Sequence, residues 1–245
     1  FVERFGVEGI RLTGGEPTVR AHLPMLISQL SGLGVDLAMT TNGATLRNSA
    51  EELRSAGLRR INISLDTLHA DRFEQMTRRN ELENVLAGID AAVAAGFSPV
   101  KINAVIERGV NDEVRFIEFM PLDATGHWAN DRVVGQDEIV ERIAEVFPLE
   151  QMPARGAAPA DRWRYLDGAG TVGVIPSVTK PFCGDCDRVR LTAEGQFRTC
   201  LFATDEFDLR EIMRSGGDDD ALAERIIAAV KALSASTASG CPPRC

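Results

Sequence analysis

Apolar residues in the first 120 positions fall into two kinds of pattern that alternate along the chain. Short runs with little internal charge, at Gly9 to Leu12, Asp36 to Thr40, Arg60 to Leu65, Val100 to Val105 and Val114 to Phe119, predict buried strands. Between them apolar residues recur at three- and four-residue spacing over Leu23 to Leu33, Leu46 to Ala56, Asp71 to Met76 and Leu82 to Ala95, which predicts amphipathic helices. Gly34, Gly57 and Gly96 follow three of these, as glycine commonly closes a helix. Repeated strand–helix units imply an α/β fold with a parallel sheet or partial barrel, whose site lies at the carboxyl ends of the strands. Those ends are polar here: Thr13-Gly14-Gly15-Glu16-Pro17, Thr40-Thr41-Asn42-Gly43 and Asn62-Ile63-Ser64-Leu65-Asp66.

One connection departs from the pattern. Only IERGVNDE, from Ile106 to Glu113, separates two strand candidates, whereas a parallel crossover takes a dozen residues or more and usually a helix. Either the two strands pair antiparallel or a helix is missing, and the four other units that keep theirs favour the missing helix. After Met120 the style changes: a helix predicted at Asp137 to Phe147, a Gly/Pro-rich stretch from Pro153 to Gly173, short strands around three cysteines, and a last helix at Ala221 to Leu233. The expected organisation is a barrel-type domain over residues 1–120, a smaller α+β lobe over 121–233, and a disordered tail over 234–245, where SASTASGCPPRC is small, polar and broken by Pro-Pro.

Bulk composition narrows the function classes. Hydrophobic content of 44% and charged content of 26% are those of a globular domain. A net charge of −9 speaks against a nucleic-acid surface, so phosphate binding would need local clusters of Arg and Lys. No apolar run approaches the roughly 20 residues of a membrane span and FVERFGVEG does not read as a signal peptide, so no membrane partner and a cytoplasmic location are expected.

The strongest chemical signal is the C-x2-C-x13-C set of Cys183, Cys186 and Cys200 in FCGDCDRVRLTAEGQFRTCLF. A two-residue gap lets two sulfurs of one turn face one ion, and the longer gap accommodates a hairpin that returns a third. Spacing alone divides evenly between an iron–sulfur cluster with an open iron and a zinc hairpin whose fourth ligand is Cys241, Cys245 or His127. Arg188 and Arg190 follow in D-R-V-R, and alternate strand residues share a face, so they read either as a phosphate clamp or as surface arginines on an edge strand. Arg11 and Arg115 could add charge to the same cavity. Lys101, inside an otherwise apolar strand, calls for an anion partner or an open cavity. Glu16 of GGEP reads as a carboxylate for an ammonium group or as a solvated acid in a tight turn. Asn42-Gly43 favours a plain turn, although strand-end hydroxyls such as Thr40 and Ser64 can also bond a nucleobase or ribose, and Asp66 follows the same logic. His22, His69 and His127 show no ligand spacing and read as surface residues.

Taken together, IRLTGGEP, TTNG, RRINISLD, VKINAV, RFIEFMPLD, FCGDCDRVRLT and RTCLFA resemble the GTP 3′,8-cyclase family, radical S-adenosylmethionine (SAM) enzymes of molybdenum cofactor biosynthesis, from about Phe1 to Leu233. The resemblance implies a partial (β/α) barrel that binds SAM. It also implies a carboxy-terminal lobe in which Cys183, Cys186 and Cys200 hold a [4Fe–4S] cluster whose open iron takes the guanine of GTP. By matching motif, Gly15, Ser64 and Met120 would contact SAM, and Arg11, Thr40, Lys101, Arg188, Val189 and Arg190 would contact GTP. In the family reaction a first reduced cluster cleaves SAM, the deoxyadenosyl radical takes hydrogen from C3′ of GTP, and the ribose closes onto C8 of guanine. The product, (8S)-3′,8-cyclo-7,8-dihydroguanosine 5′-triphosphate, passes to a cyclic pyranopterin monophosphate synthase, and a homodimer is a further expectation.

The chain departs from the family pattern at three places. The family's first-cluster motif, C-x3-C-x2-C upstream of GGEP, has no counterpart because no cysteine precedes Cys183, which makes truncation at the N-terminus the expectation and places the second [4Fe–4S] cluster only in the full-length protein. The short Ile106 to Glu113 connection fits loss of one helix and its loop, about 15 to 20 residues by ordinary crossover lengths. The family's terminal glycine pair is replaced by CPPRC. Two rivals follow, a remnant that binds GTP and one cluster without cleaving SAM, and a zinc-stabilised binding protein.

Overall fold

A computed structural model describes residues 1–111, 117–120, 128–154, 156–203 and 205–237, without the side chains of 233–237. The chain forms two compact units, Phe1–Ile106 with Val110–Arg115, and Glu107–Gly109 with Phe116–Cys245. Among the described residues no helix is long and apolar enough to cross a membrane.

The first unit opens with a short helix, α1 (Val2–Phe5), and is organised around four parallel strands in the order β1 (Gly9–Leu12), β2 (Asp36–Thr41), β3 (Arg60–Ser64) and β4 (Val100–Asn103). The order follows the sequence because each strand returns to its neighbour through a helical crossover: α2 (Leu23–Ser31), α3 (Ala50–Ser55), then α4 (Ala70–Thr77) with α5 (Leu82–Ala94). Alternate residues point to opposite faces. Leu37, Met39, Ile61 and Ile63 turn to one face and join Ile27, Leu53, Val85 and other helix residues in a core of sixteen buried side chains. α5 reaches the end of β2 backbone to backbone, because a Cβ on Gly88 would stand 2.3 Å from the carbonyl oxygen of Gly43.

Two elements differ from the pattern read in the sequence. The helix expected over Leu46 to Ala56 is a 3-10 turn at Leu46–Asn48 followed by α3, broken at Asn48-Ser49, two residues whose side chains compete for backbone hydrogen bonds. The strand expected over Val100 to Val105 is interrupted at Ala104, leaving β5 (Val105–Ile106) as a separate short strand. Of the strand expected over Val114 to Phe119, residues 114–116 lie outside the described residues and Ile117–Glu118 form β6. The short connection before it falls partly outside them too.

The second unit contains α6 (Gln136–Ala144) and two antiparallel three-stranded sheets. One joins β7 (Leu149–Gln151), β8 (Asp161–Tyr165) and β9 (Thr171–Val174). The Gly/Pro-rich stretch from Pro153 to Gly173 therefore contains most of a hairpin. Its signal lies in Asp161-Arg162-Trp163-Arg164-Tyr165, where Trp163 is buried opposite Val172 while Arg162 and Arg164 are exposed. The other sheet joins β10 (Arg190–Leu191), β11 (Gln196–Arg198) and β12 (Phe207–Asp208). Phe197 on β11 faces a small core with Leu209, Ile226 and Ala229, the last two from α8 (Asp219–Thr237); α7 (Arg210–Arg214) precedes α8. α8 runs to Thr237 and so takes in the first four residues of the expected tail, and residues 238–245 lie outside the described set.

Candidate functional site

In the first unit the sheet register places the polar strand residues together. Arg11 pairs with Ala38, Thr40 with Asn62, Asn62 with Lys101, and Ser64 with Asn103. Laterally paired residues of a parallel sheet share a face, as do residues two apart on one strand. Arg11, Thr40, Ser64 and Lys101 therefore all project from the face opposite the core. The Arg60 to Asp36 ion pair, with Nε 2.9 Å from Oδ1, lies on that face nearer the amino ends of the strands. Asn62, 5% exposed between Thr40 and Lys101 in the same lateral row, belongs to this face although sequence reasoning did not single it out. Lys101 is exposed, as is its neighbour Ile102, so both faces of β4 are open in this unit.

Gly15 is exposed in the turn after β1, where Gly14 adopts φ 112°, a conformation open to glycine at little cost. Glu16 next to it is half-buried, and its carboxylate is engaged by groups at both strand ends. One carboxylate oxygen accepts hydrogen bonds from the amide of Thr18 at 3.1 Å, the Thr18 hydroxyl at 2.8 Å and the Thr41 hydroxyl at 2.6 Å. The other accepts the amide of Asn42 at 2.7 Å. The Thr41 hydroxyl in turn accepts the Gly43 amide at 3.1 Å, so one carboxylate fixes both strand-end loops. The signal was present in the spacing: an acid at the end of one strand and Thr-Thr-Asn-Gly at the end of the next form an acceptor and its donors.

Asp66 performs a similar task after β3. Its Oδ1 accepts the Val105 amide at 2.9 Å, while Asn111 Nδ2 donates to the carbonyls of Asp66 and Val105, each at 2.8 Å. Burial pushes the Asp66 carboxyl above its ordinary value of 3.8, and the Val105 amide opposes that shift.

In the second unit, Cys183 opens the 3-10 turn Cys183–Asp185 and Cys186 closes it, the Cys186 amide donating to the Cys183 carbonyl at 3.4 Å. Both are exposed, and Cys200, two residues past β11, is half-buried. Among the described residues no three His, Cys, Asp or Glu side chains are gathered tightly enough to hold a metal ion. Cys186 and Cys200 are nonetheless neighbours of one group. Arg190 is driven below its ordinary guanidinium range by burial and by Arg188, while Cys200 and Cys186 pull it back up. Arg188 donates from Nη2 to Cys186 Sγ at 3.5 Å, and its buried Nε has no hydrogen-bond partner among the described residues. Val189 is 48% exposed between them. Three cysteines with a guanidinium donor at one of them, Arg188 to Cys186, are the kind of donor set an iron–sulfur cluster takes, whose thiolates such a hydrogen bond favours.

Arg190 lies opposite Arg198 in the β10 to β11 register, and Arg198 pairs with Glu206, placing a row of charge on the sheet face away from Phe197. Met120 is half-buried just after β6. His22 and His69 are exposed at the starts of α2 and α4. Arg115, His127, Cys241 and Cys245 lie outside the described residues.

Glu118 escaped the sequence reading. It is fully buried, yet its oxygens accept the Gln136 amide at 2.9 Å, the Val178 amide at 2.7 Å, the Thr179 amide at 2.8 Å and the Thr179 hydroxyl. It thus ties β6 to the first turn of α6 and to the segment that leads into Cys183. An acid in Ile-Glu-Phe carries no sequence mark of burial.

Residues 1–120 match the Radical SAM superfamily and residues 112–237 match the Molybdenum Cofactor Synthesis C family. The GTP 3′,8-cyclase of Paenarthrobacter nicotinovorans is 47% identical, with 91% of this chain aligned to 71% of that protein. That of Acidothermus cellulolyticus is 48% identical over 89% of this chain and 66% of the relative. The chain thus spans about two thirds of the length of the relatives it matches. A solved structure of TYW1 with a lysine–pyruvate adduct bound aligns at a TM-score of 0.46 and 17% identity over 70% of this chain and 58% of that one, a likeness too distant to carry weight. Identity this high over nine tenths of the chain, together with both family matches, decides the assignment: the chain belongs to the GTP 3′,8-cyclase family of the radical SAM superfamily.

Proposed function

We propose that this chain serves the SAM-dependent radical cyclisation of GTP to (8S)-3′,8-cyclo-7,8-dihydroguanosine 5′-triphosphate, an early step of molybdenum cofactor biosynthesis whose product a cyclic pyranopterin monophosphate synthase consumes. The observation that carries the reading is the common face of Arg11, Thr40, Ser64 and Lys101 on the parallel sheet. Arg11 and Lys101 supply fixed positive charge for the nucleotide, and the Thr40 hydroxyl supplies a donor and acceptor between them. Gly15, Ser64 and Met120 are assigned to SAM, with Gly15 free of a side chain where the ligand would pass close to the backbone. In this reading residues 1–120 form the SAM-binding partial barrel and 121–233 the lobe for a [4Fe–4S] cluster.

Cys183, Cys186 and Cys200 would hold that cluster, which supplies, when bound, an iron with a free position for guanine. Arg188 and Arg190 hold a purine or phosphate oxygen beside it and balance the charge of the thiolates, and Val189 presents its backbone and exposed side chain between them. The test is binding under anaerobic conditions after reconstitution with iron and sulfide. Lys101→Ala and the double variant Arg188→Ala/Arg190→Ala should each weaken GTP binding about tenfold or more, the usual cost of losing a charge-assisted hydrogen bond, with iron content unchanged. Unchanged GTP affinity in both variants would overturn the site assignment, and one zinc with no sulfide per chain would overturn the cluster.

A further inference from the structure

Among the described residues no carboxylate sets the direction of Arg188: the ion pairs near the cysteines join Arg198 to Glu206 and Lys180 to Asp137 and leave it out. Its guanidinium carbon instead lies 4.8 Å from the ring centroid of Phe182, within the roughly 6 Å over which an aromatic face attracts a cation. Phe182 is half-buried and directly precedes Cys183, and its carbonyl accepts the Asp185 amide at 3.2 Å, so the backbone beneath the ring is fixed by the cysteine turn itself. From that platform Nη2 of Arg188 reaches Cys186 Sγ at 3.5 Å, while its Nε is buried without a hydrogen-bond partner among the described residues. The arrangement must also hold Arg188 close to Arg190, a like charge, which an unrestrained arginine would avoid.

We infer that Phe182 is a positioning residue for nucleotide binding: its ring holds the Arg188 guanidinium over the cysteine turn, so that the purine or phosphate oxygen meets a cation already in place. The inference rests on the reading that Arg188 contacts GTP. Apolar bulk alone does not reproduce it, because a leucine fills the volume but offers no negative π-face, whereas tryptophan offers a stronger one.

The experiment is a double-mutant cycle on GTP affinity in the anaerobically reconstituted chain, using Phe182→Leu, Phe182→Trp, Arg188→Ala and Phe182→Leu/Arg188→Ala, with iron and sulfide measured on each. Phe182→Leu should weaken GTP binding about threefold to tenfold, Phe182→Trp should retain it, and the double variant should bind no more weakly than Arg188→Ala alone. Cluster content should be equal in all. Additive losses in the cycle, unchanged affinity in Phe182→Leu, or loss of iron in that variant would each overturn the inference, the last by making the ring a support for the turn. Arg188→Ala with unchanged affinity would instead overturn the guanidinium's part in GTP binding, and is read separately from the Phe182 variants.

Discussion

The parallel sheet of the first unit and the cysteine-bearing sheet of the second place their functional side chains by different means. On the first, Arg11, Thr40, Ser64 and Lys101 ride on strands whose spacing is set by ladder hydrogen bonds and backed by sixteen buried side chains. On the second, Cys183 and Cys186 sit on a turn and Arg188 on the segment after it, β10 and β11 pair over two residues, and among the described residues four buried side chains make up the local core. The strand ladder fixes the backbone positions of the first set. The second relies on individual side chains: Phe182 beneath Arg188, Glu206 against Arg198, and Glu118 behind the segment entering Cys183. A site of the second kind gains more from a bound ion or cluster, because ligation replaces the packing that a small lobe lacks.

This contrast can be broken most severely at Glu118. Glu118→Ala leaves three amides and a hydroxyl without their acceptor in the interior, and should cost about 3–5 kcal/mol, read as a lower urea midpoint. If the second unit depends on such pins, its spectroscopic transition should shift and that of the first unit should not. Gly88→Ala tests the opposite side. A methyl group there collides with the Gly43 carbonyl, backbone that cannot swing away, so about 1–3 kcal/mol should be lost in the first unit by denaturant titration. The smallest effect is expected at Asp66. Its folded carboxyl titrates above 3.8, so the folded form takes up its proton more readily than the unfolded chain. The resulting stability is fully present below 3.8 and is lost as pH rises through the raised folded value. Asp66→Asn keeps a carbonyl for the Val105 amide, and unfolding midpoints compared from below 3.8 to neutrality should show that decline removed.

Regular periodicity made the first unit readable. Four strands lie within a residue or two of the runs that announced them, because a strand covered by helices must be apolar along its length. Where local chemistry competes with period the reading weakens, as at Asn48-Ser49, which divides one expected helix, and at Ala104, which divides one strand. The β8 to β9 hairpin was hidden by the glycines and prolines around it, although Trp163 between two arginines carries the strand alternation. The candidate site was legible where a motif names a residue type with a clear charge or softness, such as Lys101, Arg188 or the cysteines. Asn62 and Glu118 were not, since burial and hydrogen-bond partners depend on long-range packing that neighbours in sequence do not reveal.

The Glu16 carboxylate has a thermodynamic consequence for whatever reaches the strand ends. With Thr18, Thr41 and Asn42 already bonded to it, the rotamers and loop dihedrals at this rim are set when the chain folds. Association there carries little entropic penalty for ordering protein groups, so more of the contact energy appears as affinity. Removing the carboxylate would leave every rim residue in place chemically, yet a ligand would then have to order the rim itself, and its binding should become more enthalpic and weaker together.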